Sequence, residues 1–230
     1  MSHAWLFNEL AAAGREHLDA EQVAAYDAKA QFDPAPDLAL LKVLGLSRTS
    51  WLMDVGGGTG TFALQAAKEC QQVILVDPSP AMMEAAARKA QAEGIQNLTL
   101  IEDGFLSFEV KPVDFIFCRN ALHHLPDFWK VQALMRLRTA LKPGGVLRLL
   151  DLVYSFSPAQ TEERFAAWLG HAEKSTLGGY PCAELETHIR EEHSTFTWLL
   201  EPMLERSGFQ IEQATSSPSG IFAAYVCRAV

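Results

Sequence analysis

Short apolar runs alternate with longer stretches in which apolar side chains recur every three or four positions. Trp51-Leu52-Met53-Asp54-Val55 is the first such run; glycines close it, and an Ala-rich helical stretch from Thr61 to Cys70 follows. Val73-Ile74-Leu75-Val76 repeats the pattern, with a helix from Ser79 to about Ala92 behind it. Leu98-Thr99-Leu100-Ile101 and Phe115-Ile116-Phe117-Cys118 come next, then a helix from about Asp127 to Leu141, then the strand pattern Gly145 to Leu150. Strands that are apolar almost throughout are buried on both faces, and helical crossovers between parallel strands cover them in that way. The predicted class is therefore α/β, with a doubly wound, mostly parallel sheet. Ser79 before Pro80 fits a helix N-cap followed by proline at the first helical position, Glu93-Gly94 fits the end of that helix, and Lys142-Pro143-Gly144-Gly145 turns the next helix into a strand.

Both ends depart from this alternation. Helical patterns cover Glu21 to Ala30 and Leu38 to Leu44, separated by Asp33-Pro34-Ala35-Pro36, and others cover Ala159 to His171 and Phe196 to Arg206, separated by Gly178-Gly179-Tyr180-Pro181. Phe209 to Glu212 and Ile221 to Cys227 flank the turn residues Ser216-Ser217-Pro218-Ser219-Gly220, as an antiparallel strand pair at a sheet edge requires. The expected organisation is one domain over residues 1–230: an N-terminal helical cap (1–45), a ligand-binding core (50–153), a helical insertion (157–206) and a C-terminal strand pair (207–230).

Composition narrows the function classes. The chain has 230 residues, 49% of them apolar, enough for a large core without disulfide staples. Cys70, Cys118, Cys182 and Cys227 lie far apart with no C-x-x-C pair, which reads as scattered reduced thiols. The first nine residues carry no secretory pattern, and the longest stretch without Asp, Glu, Lys or Arg, Gln213 to Cys227, is too short for a membrane span. The expected location is cytoplasmic, with no membrane partner. An excess of 28 acidic over 19 basic residues, a formal charge of −9, opposes the phosphate attraction that dominates nucleic-acid binding. Lys130, Arg136, Arg138 and Lys142 form a local basic cluster, but Val131, Leu134, Leu137 and Leu141 share their helix, and a solvated helix face is the expected reading.

The chemistry concentrates at Asp54-Val55-Gly56-Gly57-Gly58-Thr59-Gly60, between the first strand and its helix. Such a loop lets a ligand approach the backbone and presents amides at a helix N-terminus. The next strand ends in Asp77, where a carboxylate takes ribose hydroxyls, so a nucleoside-containing cofactor is expected. An anionic Asp54 would repel the pyrophosphate of a nicotinamide dinucleotide but tolerate a ligand bearing an ammonium and a sulfonium.

These residues resemble the first motif of the class I S-adenosylmethionine-dependent methyltransferases, acidic-x-G-x-G-x-G, matched by Asp54, Gly56, Gly58 and Gly60. In order along the chain, Asp77-Pro78-Ser79-Pro80-Ala81-Met82, Glu102-Asp103-Gly104-Phe105, Arg119-Asn120-Ala121-Leu122-His123-His124-Leu125 and Leu141-Lys142-Pro143-Gly144-Gly145 resemble later segments of that family, so the likeness covers about Trp51 to Asp151. It implies a Rossmann-like sheet of seven strands and S-adenosyl-L-methionine as cofactor, with S-adenosyl-L-homocysteine as product and no metal. By the same resemblance the backbone of Gly56 and Gly58 lies against the methionine moiety, with Gly57 and Gly60 in the same cofactor-binding loop, Asp77 holds the ribose hydroxyls, and Pro78 and Met82 line the adenine slot. Asp103, beside Gly104 and Phe105, accepts from the adenine amine, a role Glu102 takes if the register shifts. Arg119 and Asn120 lie near the methionine end. Tyr26 and Phe32 either close over the sulfonium through a ring face or pack as ordinary helix residues.

The implied reaction is in-line displacement at the sulfonium methyl, for which positioning supplies much of the catalysis. Where the acceptor must lose a proton a base helps, and His124 and His123, just past the fourth strand, are the candidates beside simple capping and packing roles. His171, His188, Glu192 and His193 lack H-E-x-x-H spacing and read as a surface helix. Pro181-Cys182 lies beyond the fifth strand, out of place for the nucleophile of a cytosine-C5 methyltransferase, and no N-P-P-Y-like tetrapeptide follows the fourth strand. The expected acceptor is a small molecule under a cap built from residues 1–45 and 157–206, with Trp168, Tyr180, Phe196 and Trp198 lining a pocket or filling a core. Competing readings are a non-catalytic S-adenosylmethionine-binding regulatory subunit and a nicotinamide-dependent oxidoreductase. The oligomeric state leaves no trace in the sequence.

Overall fold

A computed structural model describes residues 4–174 and 179–230. Four helices, α1 (Glu9–Ala12), α2 (Arg15–Leu18), α3 (Ala20–Ala30) and α4 (Ala35–Val43), precede the sheet. There follow β1 (Trp51–Val55), α5 (Thr61–Ala67), β2 (Gln72–Asp77), α6 (Pro80–Ala92), β3 (Leu98–Glu102), β4 (Val113–Arg119), α7 (Asp127–Ala140) and β5 (Leu141–Tyr154). The insertion holds α8 (Thr161–Lys174), α9 (Cys182–Glu191), β6 (Thr195–Phe196) and α10 (Thr197–Arg206), and the chain closes with β7 (Phe209–Ser216) and β8 (Phe222–Ala229).

The strand order is β3-β2-β1-β4-β5-β8-β7, parallel from β3 to β5 and antiparallel across β5-β8-β7. The order reverses between β1 and β4, and the carboxyl ends of these two strands open the crevice in which doubly wound sheets bind ligands. β1, β2 and β4 are buried almost throughout, as their apolar runs require. One face of the sheet packs Leu134 and Leu137 of α7 and Leu200 and Leu204 of α10. The other packs Leu38 and Leu41 of α4, Phe62 and Ala63 of α5 and Met83 of α6. Ser79 caps α6 by accepting from the Met82 amide at 3.2 Å.

Seven strands lie on the main path, and β6 is an eighth that the sequence pattern does not announce. Its origin is the length of β5: β8 pairs with β5 only as far as Leu152, and β6 takes the remaining Val153 and Tyr154. Two residues are too short to show a period. Of the expected break in the insertion, Gly178 lies outside the described residues; Pro181 stands at the N-cap of α9.

The basic cluster on α7 is not a solvated face. Lys130 is buried, with Nζ 3.0 Å from Asp127 Oδ1 and 2.5 Å from the carbonyl of His193. Arg136 donates to the carbonyls of Ser107 and Phe108, and Arg138 to those of Gly208 and Val230. These side chains tie loops together by donating to backbone carbonyls. Cys70, Cys118 and Cys227 are buried thiols outside any disulfide. No helix among the described residues is long and apolar enough to cross a membrane.

Candidate active site

The glycine loop owes its shape to three left-handed residues, Gly56 (φ +66°), Gly58 (φ +54°) and Gly60 (φ +77°), a conformation that costs residues with a Cβ about 1 kcal/mol or more. A Cβ at Gly56 would also overlap that of Ala121, so the loop backbone at Gly56 lies against the Ala121 side chain of the segment after β4. Asp27 of α3 fastens the loop from outside, accepting from Thr59 Oγ1 at 2.5 Å, Thr61 Oγ1 at 3.1 Å and Lys89 Nζ at 2.5 Å.

Asp54 lies beneath this loop with Oδ2 buried and unpartnered. Burial first, and the charge of Asp77 second, push its carboxyl up to about 8. Burial thus favours the protonated carboxyl, which weakens charge repulsion as the ground for choosing between cofactors. Burial in the glycine turn keeps the carboxyl from water.

Asp77 accepts from the Gly58 amide at 2.9 Å and the Ser79 amide at 2.9 Å, joining the glycine loop to the start of α6. Burial raises its carboxyl above the usual range against the pull of those amides. Met82 is fully buried, and its sulfur stands 3.7 Å from where a Gly58 Cβ would be. Asp103 Oδ1 accepts from the Gly104 amide at 3.0 Å and from Ser107. Glu9 of α1 reaches the same corner: Oε1 accepts from the Phe105 amide at 2.6 Å and Oε2 from the Leu106 amide at 2.9 Å. Its carboxylate fills the space in front of Gly104.

Three cavities meet at the switch point. One of about 280 Å³ runs along the glycine loop between Asp27, Phe62 and Arg119. A second, only about 60 Å³, lies between Asp77, Pro78 and Phe105 under Glu9 and Ala12. The third, about 350 Å³, opens on the far side of Asn120 and His124 and is lined by Trp168, Tyr180, Glu184, His188 and Phe222. Tyr26 borders all three, whereas Phe32 presents its ring to the Arg119 guanidinium, 4.1 Å away. Asn120 holds a positive φ of 48°, a conformation Asn tolerates, and its amide donates to Leu150 at 2.9 Å. Of the four aromatics expected at the cap, Trp168 and Tyr180 line the large cavity; Phe196 packs with Tyr154 and Phe156, and Trp198 is exposed.

His124 separates the small cavity from the large one and borders both. It is buried with Nδ1 unpartnered, and burial, then the charge of His123, hold its imidazole well below the usual range, hence neutral. His123 behaves oppositely. Its Nδ1 lies 2.5 Å from Asp151 Oδ1, Asp151 Oδ2 accepts from the His123 amide at 3.1 Å, and Glu192 Oε2 lies 3.0 Å from Nε2. Burial lowers the His123 imidazole, but the two carboxylates outweigh it and bring it to about 9. α9 is a surface helix with one exception, His188, which is buried and turned inward onto Glu192, while His193 lies outside this contact and its amide donates to the His123 carbonyl. The hydrophobic spacing of α9 gives no sign of this, because the partner groups lie on β5 and on the turn after β4. Glu9, Asp27, Asp151 and Glu192 are absent from the sequence-derived site for the same reason.

A family model described as "Methyltransferase domain" matches residues 52–145. The chain is similar to the tRNA 5-carboxymethoxyuridine methyltransferase of Escherichia coli (strain K12), 36% identical over 170 residues that cover 70% of this chain and 59% of that protein. It is also similar to the probable methyltransferase ltbC of Aspergillus luteorubrus, 29% identical over 150 residues, 60% of this chain and 53% of that one. The matched segments thus span little more than half the length of these two relatives. Among solved structures, a SAM dependent methyltransferase from Aquifex aeolicus superposes with a TM-score of 0.65 at 20% identity, covering 93% of this chain and all of that chain, a likeness of fold.

Proposed function

Because the chain belongs to the class I S-adenosylmethionine-dependent methyltransferases, we propose that it methylates a small molecule held in the 350 Å³ cavity beyond His124. The observation that carries this reading is the place of His124, a buried imidazole with an unpartnered Nδ1 that borders both the Asp77–Phe105 cavity and the large one.

The cofactor side fits S-adenosylmethionine in its donor set. Asp54 Oδ2 is a buried acceptor without a partner beneath the glycine loop, and Gly58 leaves the space a Cβ would fill. In this reading Asp77 holds the ribose hydroxyls, Pro78 and Met82 line the adenine face, Asp103 and the amides at Gly104 and Phe105 meet the adenine edge, and Arg119 and Asn120 lie at the amino-acid end. The 60 Å³ at the adenine end becomes sufficient when Glu9 leaves the Phe105 and Leu106 amides. When bound, the cofactor supplies an electrophilic methyl group on a sulfonium. Tyr26 borders the same space and shields it from water together with α2 and α3. His124 Nδ1, buried and free of protein partners, takes the proton that a hydroxyl or ammonium acceptor must lose. Asp151 fixes His123, and through it the turn on which His124 sits.

The large cavity is about the size of small-molecule sites, and Trp168, Tyr180 and Phe222 give it the apolar walls such sites have. The net charge of −9 and the internal use of Lys130, Arg136 and Arg138 leave α7 without a basic track for RNA. The test supplies methyl-labelled cofactor to a cell extract divided into metabolites and RNA. Label in the metabolite fraction, reduced about a hundredfold or more by His124→Ala with homocysteine-product binding intact, supports the reading. Label in tRNA alone replaces it with an activity like that named for the Escherichia coli relative, and tight cofactor binding with no labelled product in either fraction favours a regulatory subunit.

A further inference from the structure

We infer that His123, His188 and Glu192 form a binding site for one divalent transition-metal ion of the zinc class on the wall of the large cavity. One donor atom of each residue lies within 4.8 Å of the others. Glu192 Oε2 is 3.0 Å from His123 Nε2 and in contact with His188 Nδ1, yet accepts no well-aligned hydrogen bond from either. A tetrahedral ion with bonds near 2.0 Å sets its ligands about 3.3 Å apart, within the spread of this trio.

The outer contacts complete the argument. Imidazoles that bind metal anchor their second nitrogen on a carboxylate, carbonyl or water, which fixes the ring and its tautomer. His123 does so through Nδ1 on Asp151, itself held by the amides of His123 and Leu152, and His188 does so through Nε2, 3.0 Å from Ser194 Oγ. The inner atoms, Nε2 of one ring and Nδ1 of the other, are left facing the carboxylate. The frame is rigid: the His193 amide donates to the His123 carbonyl at 2.9 Å, and β6 pairs with the end of β5. Two imidazoles and a carboxylate suit zinc, cobalt or ferrous iron better than magnesium or calcium. His123, His188 and Glu192 all border the 350 Å³ cavity, so the remaining coordination position faces it and takes an oxygen donor, water or a ligand oxygen. The site stands on these residues alone and does not depend on methyl transfer.

Full-length protein stripped with chelator and dialysed is titrated with Co²⁺, then with Zn²⁺. One equivalent of cobalt with tetrahedral or five-coordinate d–d bands, no thiolate charge-transfer band, and displacement by zinc is the expected result. Zinc should also raise the melting temperature of the wild type. Glu192→Gln and His188→Ala should each lose tenfold or more in affinity, Asp151→Asn about tenfold through the anchored ring, and His171→Gln nothing. Absence of stoichiometric uptake by the folded wild type, a cysteine signature in the cobalt spectrum, or equal binding by Glu192→Gln and the wild type would each overturn the inference, whatever the methylation assay gives.

Discussion

Glu9→Ala tightens cofactor-product binding, because Glu9 holds the amides that the adenine edge needs. Two hydrogen bonds are lost, at 2.6 Å to Phe105 and 2.9 Å to Leu106. Each is worth about 1 to 1.5 kcal/mol net, and removal of a half-buried carboxyl returns part of that, leaving about 1–2 kcal/mol in favour of the closed arrangement. If the closed form excludes adenine, apparent affinity for S-adenosylhomocysteine rises about 5- to 30-fold in the variant. A pH dependence follows. Burial, opposed by the two amides, raises the Glu9 carboxyl from 4.5 to about 7 when closed. The closed form therefore keeps a proton that the open form releases, and closure weakens as pH rises from about 4.5 through 7. Wild-type affinity should improve as pH rises from about 6 to 8, by about tenfold at most, since one unit is worth about 1.4 kcal/mol. Glu9→Gln, which cannot ionise, should show a flat profile. Isothermal calorimetry at several pH values reads both effects. Unchanged affinity in Glu9→Ala, or the same pH slope in Glu9→Gln as in the wild type, refutes the reasoning.

Further outcomes follow from the structure. Asp37→Ala leaves Arg148 in mid-sheet without its partner at 2.9 Å and should cost about 3 kcal/mol in urea unfolding; a loss under about 1 kcal/mol would show the pair to be dispensable. Gly56→Ala places a methyl group on Ala121 and forces a left-handed alanine, so it should lower the melting temperature and remove product binding together, a result contradicted by intact binding. Asp54, with its carboxyl raised to about 8 by burial, makes the folded state lose stability as pH rises from about 4 through 8, by no more than about 6 kcal/mol. Asp54→Asn should flatten that loss, and an unchanged pH profile would mean that Asp54 is ionised in the native protein.

What the sequence makes legible are features carried by neighbours along the chain. Gly56, Gly58 and Gly60 announce a left-handed turn because no other residue serves as well, and Ser79-Pro80 announces a helix start that the structure places there. The buried strands β1, β2 and β4 follow from short runs that are apolar almost throughout. What stays hidden depends on pairs distant in sequence. Glu9 lies 96 residues from Phe105, Asp27 32 from Thr59, and His123 28 from Asp151, and only the closed sheet brings them together. Lys130 looks like a surface lysine until the His193 carbonyl covers it, and His188 of α9 looks like a surface histidine until it turns inward against Trp168 and Glu192. The Asp54 charge fails for a related reason: protonation belongs to an environment, and the residue name carries no record of it.

The most direct test of the central claim, a nucleoside-binding crevice at the β1/β4 switch point with Asp77 on the ribose, is calorimetric titration of S-adenosylhomocysteine into the wild type and Asp77→Ala. The account predicts one site of micromolar affinity in the wild type. It predicts a loss of about a hundredfold in the variant, since two hydrogen bonds to a charged group are worth about 3 kcal/mol or more. No measurable binding to the wild type, or equal binding to both proteins, would contradict it.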